Sequence, residues 1–214
     1  FPTRRSSDLP LTRIIGDFTA PVVDSTLLKI GQVLIASANS NPITMGIILG
    51  GIITVVATAP LSSMALTAML GLTGAPMAIG ALSVFGSSFL NFVLFQKMKF
   101  GSKKDTISVA IEPLTQADII TANPIPIYVT NFIGGALCGI IIVLMGLTNM
   151  SPGTATPIAG FAVMFAYNPA FKVLMASLAC VVVSAGSGYL GYLLFKNYKI
   201  HTVDEIRGND LEVE

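Results

Sequence analysis

Charged side chains are scarce in this sequence. Asp, Glu, Lys and Arg make up 11% of its 214 residues, whereas they make up about a quarter of a typical soluble domain. No charged residue occurs between Lys29 and Lys97, between Asp118 and Lys172, or between Lys172 and Lys196. So few charges cannot cover a water-facing surface, and the mean hydropathy is +0.78. We therefore predict an all-α fold, a polytopic transmembrane helical bundle embedded in a lipid bilayer.

Residues that bind metals or act as nucleophiles are also few, with two cysteines and one histidine in the chain. Cys138 and Cys180 lie inside apolar runs, which favours two small buried hydrophobic side chains. His201 lies in the polar C-terminal stretch, where we expect a solvated side chain. We therefore expect no metal site and no cofactor. The formal net charge of +1 gives no indication of a nucleic-acid partner.

Long uncharged runs predict where helices cross the bilayer, because a span needs about 20 apolar residues. Glycines at positions 46, 50 and 51 would allow a second helix to approach closely. The predicted segments are an amphipathic helix over residues 18–38, an uncharged helix over 43–59, a short helix over 64–72, and spans over 77–95, 125–147 and 171–195.

Basic residues cluster at two places and predict the orientation. Four lysines fall within residues 97–104, and Lys196, Lys199 and Arg207 follow the last span. Such loops usually face the cytoplasm, so the chain between them must cross an even number of times. The spans 125–147 and 171–195 supply two crossings.

Two segments are left over, residues 106–124 and 148–170, and neither has the pattern of a simple span. Each is interrupted by prolines, with Glu112-Pro113 in the first and Thr156-Pro157 in the second. We predict that both are broken or re-entrant helices. Irregular backbone at membrane depth has to be buried in protein or line a polar cavity. Two such segments on either side of one span are typical of a transporter's substrate site.

Glu112 is the strongest candidate for chemistry, because an ionisable residue within a membrane segment is costly and is often functional. Its carboxylate could bind sugar hydroxyls and assist proton removal from one of them. The alternative is that Glu112 caps a broken helix or pairs with Lys103 or Lys104. Three neutral side chains are further candidates for the substrate pocket, or for hydrogen bonds between helices: Gln116, Asn123 and Asn131.

Several short motifs resemble one family, the membrane IIC components of the phosphoenolpyruvate-dependent sugar phosphotransferase system. The shorter IIC-like branch, which includes membrane regulators of toxin genes, is the most similar. The resemblance covers roughly residues 20–200. The matching stretches are Glu112-Pro113, Asn123-Pro124-Ile125-Pro126, Thr58–Leu66, the glycine-rich span after Gly71, the lysine loop and Met150–Gly160.

The resemblance implies a function. A IIC component binds a sugar and presents its hydroxyl to a phosphorylated IIB phosphocarrier protein, so phosphotransferase activity exists only together with that partner. The family's substrate-contacting Glu falls on Glu112, and its Asn-Pro on Asn123 and Pro124. It also implies a multi-pass protein of the bacterial cell membrane and a homodimer. Related carriers use a membrane-embedded His, which has no counterpart here. A non-transporting membrane regulator or sensor and a secondary transporter therefore stay open.

The chain divides into three parts. Residues 1–9 resemble a translated sequencing adapter, and we expect them to be foreign to the protein. Residues 10–199 are expected to form the membrane IIC-like domain, as the C-terminal part of a longer bundle whose first helices are missing. Residues 200–214 are expected to form a polar cytoplasmic tail.

Overall fold

The computed structural model describes residues 28–208, and within that range every regular element is helical. The predicted all-α bundle is therefore confirmed. The helices are α1 (Leu28–Ala38), α2 (Pro42–Thr58), α3 (Ser63–Met69), α4 (Ala75–Met98), α5 (Lys103–Ile111), a 3₁₀ turn (Pro113–Gln116), α6 (Ala117–Ala122), α7 (Pro124–Leu144), α8 (Pro157–Tyr167), α9 (Ala170–Phe195) and α10 (Val203–Arg207).

Three of these helices, α4, α7 and α9, are long and apolar enough to cross a bilayer. They correspond to the predicted spans 77–95, 125–147 and 171–195. The helix predicted over 18–38 is present as α1 from Leu28 onward, and its first ten residues lie outside the described part. It ends where Asn39 was expected to stop it. Asn41 then caps α2 by accepting a hydrogen bond from the Ile43 amide at 2.8 Å.

The first strong contact in the bundle is between α2 and α7, which pack backbone to backbone through glycines. Gly46 lies against Gly139, and Gly50 lies against Gly135. Residue numbers rise on one helix as they fall on the other, so the two helices are antiparallel. This confirms the expectation that the α2 glycines permit close approach, since even a methyl group would separate the helices.

Helices α4 and α9 complete the bundle, and both also run antiparallel to α7. On α4, Ser83 donates a hydrogen bond to the Gly135 carbonyl at 3.4 Å, and Asn91 pairs with Asn131. On α9, Ser184 lies against Cys138 of α7 and Gly191 lies against Thr130, so residue numbers rise on one helix as they fall on the other. The C-terminal ends of α4 and α9 therefore lie together, and we call this the lysine end of the bundle, because Lys97, Lys99, Lys196 and Lys199 lie there. Helix α7 leads the chain away from the lysine end, and α9 leads it back. This agrees with the even number of crossings predicted between the two clusters of basic residues.

Residues 148–168, between α7 and α9, form a closed excursion that we call hairpin 2. Asn168 joins its two ends, accepting from the Thr148 amide at 3.0 Å and donating to the Thr148 carbonyl at 2.7 Å. The middle of the segment reaches into the bundle, where the Ala155 carbonyl accepts a hydrogen bond from Ser63 of α3 at 2.8 Å. Gly160, in the first turn of α8, packs against Ala81 of α4. The segment thus enters and leaves at one end, as predicted for a broken, non-crossing helix.

Candidate functional site

The segment between α4 and α7, residues 103–123, makes a second excursion, here called hairpin 1. It begins with a capping box in which the Ser102 hydroxyl accepts from the Asp105 amide and the Asp105 carboxylate accepts from the Ser102 amide at 2.9 Å. Helix α5 then ends at Glu112, because the residue before a proline is pushed away from helical backbone angles. The 3₁₀ turn that follows contacts α2. Hairpin 1 therefore folds back beside the bundle instead of crossing it.

Glu112 lies at the bend of hairpin 1, and its side chain is exposed. Its backbone ends the helix: the amide donates to the Ser108 carbonyl at 2.9 Å, and the carbonyl accepts from the Thr115 amide at 3.1 Å and from the Thr115 hydroxyl at 2.7 Å. Within residues 28–208 the carboxylate forms no ion pair with Lys103 or Lys104. The backbone thus has the role of a helix end, while the carboxylate is left available to a ligand.

Asn123 closes hairpin 1 and is fully buried. Its side-chain amide donates to the Ile119 carbonyl at 3.0 Å and to the His201 carbonyl at 2.8 Å, and its oxygen accepts from the His201 amide at 2.8 Å. Asn123 therefore binds the C-terminal segment, residues 200–208, with both the nitrogen and the oxygen of its side-chain amide. That segment is also held by the hydrogen bond from the Val203 amide to the Phe100 carbonyl at 2.9 Å.

Arg207 of α10 binds the same hairpin through three side chains. Its guanidinium donates to Asp118 at 2.7 and 3.1 Å, to Asp105 at 3.1 Å and to the Gln116 oxygen at 2.9 Å. Hydrogen bonds from Arg207 are the main cause that lowers the pKa of Asp118. Burial alone would raise the pKa of Asp105, but hydrogen bonds from Ser102 and Arg207 outweigh it and lower the pKa. The lowered pKa favours the charged form of both carboxylates, which is the form that pairs with the Arg207 guanidinium.

A polar cavity of about 450 Å³ lies between hairpin 1 and α10. Its walls include Lys104, Ser108, Thr115 and Gln116 of hairpin 1, with Arg207 opposite. Glu112 lies in the chain between Ser108 and Thr115, at the bend that these wall residues flank. The cavity is wide enough for a small polar molecule, and its wall supplies hydroxyl, amide and cationic groups.

Asn131, the fourth predicted site residue, lies elsewhere, in the core where α4 and α7 cross. Its side-chain amide donates to the Asn91 oxygen at 2.7 Å and to the Ile127 carbonyl at 2.9 Å. Both asparagines are fully buried. The structure therefore brings Gln116 and Asn123 together around the C-terminal segment and places Asn131 apart from them.

Sequence reasoning missed the role of Asn91 and the convergence of Arg207 on hairpin 1. Arg207 was interpreted only as a positive charge flanking the last span. Asn91 lies in a span without charges, and the one available signal was an amide in an otherwise apolar run.

The cysteines have no chemistry of their own here: Cys138 and Cys180 are free and buried, as predicted. No group of three His, Cys, Asp or Glu side chains within residues 28–208 could hold a metal ion.

Comparison with known proteins gives one match. A family model described as Phosphotransferase system, EIIC matches residues 7–211, almost the whole chain. No curated protein and no solved structure matched it.

Proposed function

This chain belongs to the phosphotransferase system EIIC family, and on that premise we propose that it binds a sugar and carries it across the bacterial plasma membrane to a phosphorylated IIB partner. Family membership identifies it more broadly as a membrane component of sugar transport. The observation that carries this proposal is the exposed Glu112 carboxylate at the bend of hairpin 1. It forms no ion pair with a lysine in the described part of the chain, and Ser108 and Thr115 on either side of the bend line a polar cavity.

In this proposal Glu112 has two roles. A carboxylate accepts hydrogen bonds from two sugar hydroxyls, which positions the ring. When one of those hydroxyls attacks the phosphoryl group of the partner, the same carboxylate takes its proton, and the phosphate comes entirely from the partner. Gln116 and Asn123 remain proposed substrate residues. They bind the C-terminal segment in this structure, so they would reach a sugar only after that segment leaves.

The test measures accumulation of phosphorylated sugar inside vesicles that contain the full-length protein, with the sugar added outside and a phosphorylated IIB donor enclosed in the vesicle lumen. Glu112→Gln keeps the shape of the side chain and removes its charge, and we expect it to lower the rate about a hundredfold, a typical contribution of an acid–base group. Glu205→Gln is the matched control, because it removes an exposed carboxylate from α10. An unchanged rate in the Glu112 variant would refute the proposal.

A homodimer is part of the same proposal. The outer face of α9 carries apolar side chains that nothing in residues 28–208 covers, and Leu178 and Val182 are 60% and 63% exposed. Leu178→Cys should form a disulfide between two copies in the membrane if these faces meet. Absence of the cross-link under oxidising conditions would contradict a dimer through this face of α9, which would then contact lipid.

A second function is favoured by the position of the one histidine in the chain, His201, which lies after the last span. Related sugar carriers of the phosphotransferase system use a histidine within the membrane domain. A non-transporting regulator on the same scaffold would need none. In the vesicle assay such a protein would bind sugar while the phosphate stayed on the IIB donor.

A further inference from the structure

The crossing of α4 and α7 contains hydrogen-bonding atoms that have no partner in the described part of the chain. They are the side-chain nitrogen of Asn91, the side-chain oxygen of Asn131 and the hydroxyl of Ser88. Asn91 and Asn131 are fully buried, and Ser88 is 7% exposed. Buried polar atoms are nearly always hydrogen-bonded, so three at one crossing require an explanation.

The orientation of the amides follows from the hydrogen bonds around them. The Asn131 nitrogen faces two acceptors, the Asn91 oxygen at 2.7 Å and the Ile127 carbonyl at 2.9 Å. Exchanging the nitrogen and oxygen of Asn131 would point its oxygen at two other oxygens, so the network itself assigns the atoms. What remains is one free donor on α4 and one free acceptor on α7.

This pair of atoms has the pattern that a hydroxyl group matches. A hydroxyl can accept a hydrogen bond from the Asn91 nitrogen and donate its own hydrogen to the Asn131 oxygen. Ser88 lies one helical turn from Asn91 and can act as donor or acceptor to a second hydroxyl. A cation would find one free amide acceptor and an anion one free amide donor, so neither ion is matched.

The position of the crossing fits a binding step. Asn91 is seven residues before the end of α4, and Asn131 is seven residues after the start of α7. At 1.5 Å per residue both lie about 10 Å inside the bundle from the lysine end. Thr54 of α2 also reaches this point, with its hydroxyl bonded to the Asn131 carbonyl at 2.9 Å. Three helices of the bundle therefore meet at Asn131.

We infer that Ser88, Asn91 and Asn131 form a buried subsite that binds hydroxyl groups, either those of a sugar or those of bound water. The sugar source rests on the proposed function, and the water source does not. In the present state the side chains are closed off from solvent. In that state the proposed occupant is enclosed water, whereas a sugar hydroxyl would reach the subsite only when α4 and α7 move apart.

The first arm tests for bound water, using the full-length protein in detergent without sugar. Thermal unfolding is followed by a maleimide dye that becomes fluorescent on reacting with Cys138 and Cys180, which are buried in the folded chain. The double variant Asn91→Leu with Asn131→Leu has similar side-chain shapes and no polar atoms. We expect its Tm to fall by several degrees, because bound water loses its partners. If the atoms are simply unsatisfied, removing them leaves the Tm unchanged or raises it.

The second arm tests for sugar, with glucose, N-acetylglucosamine, mannitol and galactitol each added alone. For any of these that raises the Tm of the unmodified protein, the concentration dependence gives an apparent affinity. We expect Asn91→Leu to weaken that affinity about tenfold or more. Ser88→Ala, a milder change that serves if Asn91→Leu does not fold, should weaken it as well. The matched control is Ser87→Ala, since the Ser87 hydroxyl bonds the Val84 carbonyl of its own helix at 2.8 Å.

The outcomes separate the two proposals. A lowered Tm in the first arm supports bound water, and a loss of affinity confined to the Asn91 and Ser88 variants supports a sugar subsite. If no sugar raises the Tm of the unmodified protein, the sugar step of the proposed function fails, and the first arm alone decides the subsite. An unchanged or raised Tm in the double variant, together with no loss of sugar affinity in Asn91→Leu and Ser88→Ala, overturns the inference.

Discussion

The glycine contact between α2 and α7 makes a sharp prediction about stability. A methyl group added to Gly139 would overlap the Gly46 carbonyl oxygen, and one added to Gly50 would overlap the Gly135 carbonyl oxygen. In both cases the obstacle is helix backbone, which cannot rotate away as a side chain would. Gly139→Ala must therefore push the two helices apart over their whole contact.

The size of the effect follows from what the separation breaks. Overpacking a buried contact costs about 1–3 kcal/mol, and a rigid backbone obstacle places Gly139→Ala near the upper end. The hydrogen bond from the Thr54 hydroxyl to the Asn131 carbonyl crosses the same contact at 2.9 Å, and its loss adds about 1 kcal/mol. Together these terms give about 3–4 kcal/mol. At about 2–4 °C per kcal/mol for a chain of this length, the Tm should fall by roughly 10 °C.

The dye assay with Cys138 and Cys180 measures this change directly, because the chain has two cysteines and both are buried. Gly186→Ala on α9 is the matched control. A methyl group there meets no atom within 4 Å, and alanine is the better helix former by about 1 kcal/mol. Its Tm should stay the same or rise slightly. If Gly139→Ala unfolds at the same temperature as the unmodified protein, the backbone contact between α2 and α7 is refuted.

Two further predictions concern the hairpins. Asn168→Leu removes both hydrogen bonds that join the ends of hairpin 2. The pair contributes about 1.4 kcal/mol, so hydrogen exchange of the backbone amides in residues 148–156 should become about tenfold faster. Unchanged exchange would argue against this closure of the hairpin. Acid should release α10, because the pKa values of Asp105 and Asp118 are lowered in the folded chain. Their contribution is present above the ordinary carboxyl pKa of about 4 and is lost as the pH falls below it. A dye attached at Asp204→Cys should lose anisotropy in detergent as the pH is lowered below about 4. With Arg207→Ala added, the dye should already be mobile at neutral pH, and a pH response that survives Arg207→Ala would contradict this reasoning.

The bundle helices could be predicted from sequence because lipid-compatible helices require long uncharged runs. The boundaries were less accurate, and α4 shows why. The span was predicted to start at Met77, directly after the Gly-Ala-Pro stretch at 74–76, whereas α4 begins at Ala75. Proline is tolerated in the first turn of a helix, where its missing amide hydrogen has no partner to lose. The same applies to Pro124, which begins α7 one residue before the predicted start.

The docking of the C-terminal segment had no signal in the sequence. Asn123 and His201 are 78 residues apart, and their contact depends on how α7 and α9 return the chain to the lysine end. Local patterns carry no information about such a pairing. Residues 200–214 were expected to form a polar tail. Residues 201 and 207 of that segment bind hairpin 1, and the last six residues are outside the described part. Glu112, by contrast, could be proposed from the sequence, because a carboxylate beside a proline in a largely apolar chain is a local feature.

The contacts of α7 with α2 and with α4 differ in a way that bears on movement. Its contact with α2 is backbone against backbone at Gly46 and Gly139, with little side-chain volume that can rearrange. Its contact with α4 contains the unsatisfied atoms of Asn91 and Asn131, which gain hydrogen bonds if water or a sugar enters. Opening the first contact loses packing and gains no partner. In the proposed transport of a sugar, we therefore expect α2 and α7 to move as one body, with the bundle opening at the α4–α7 crossing.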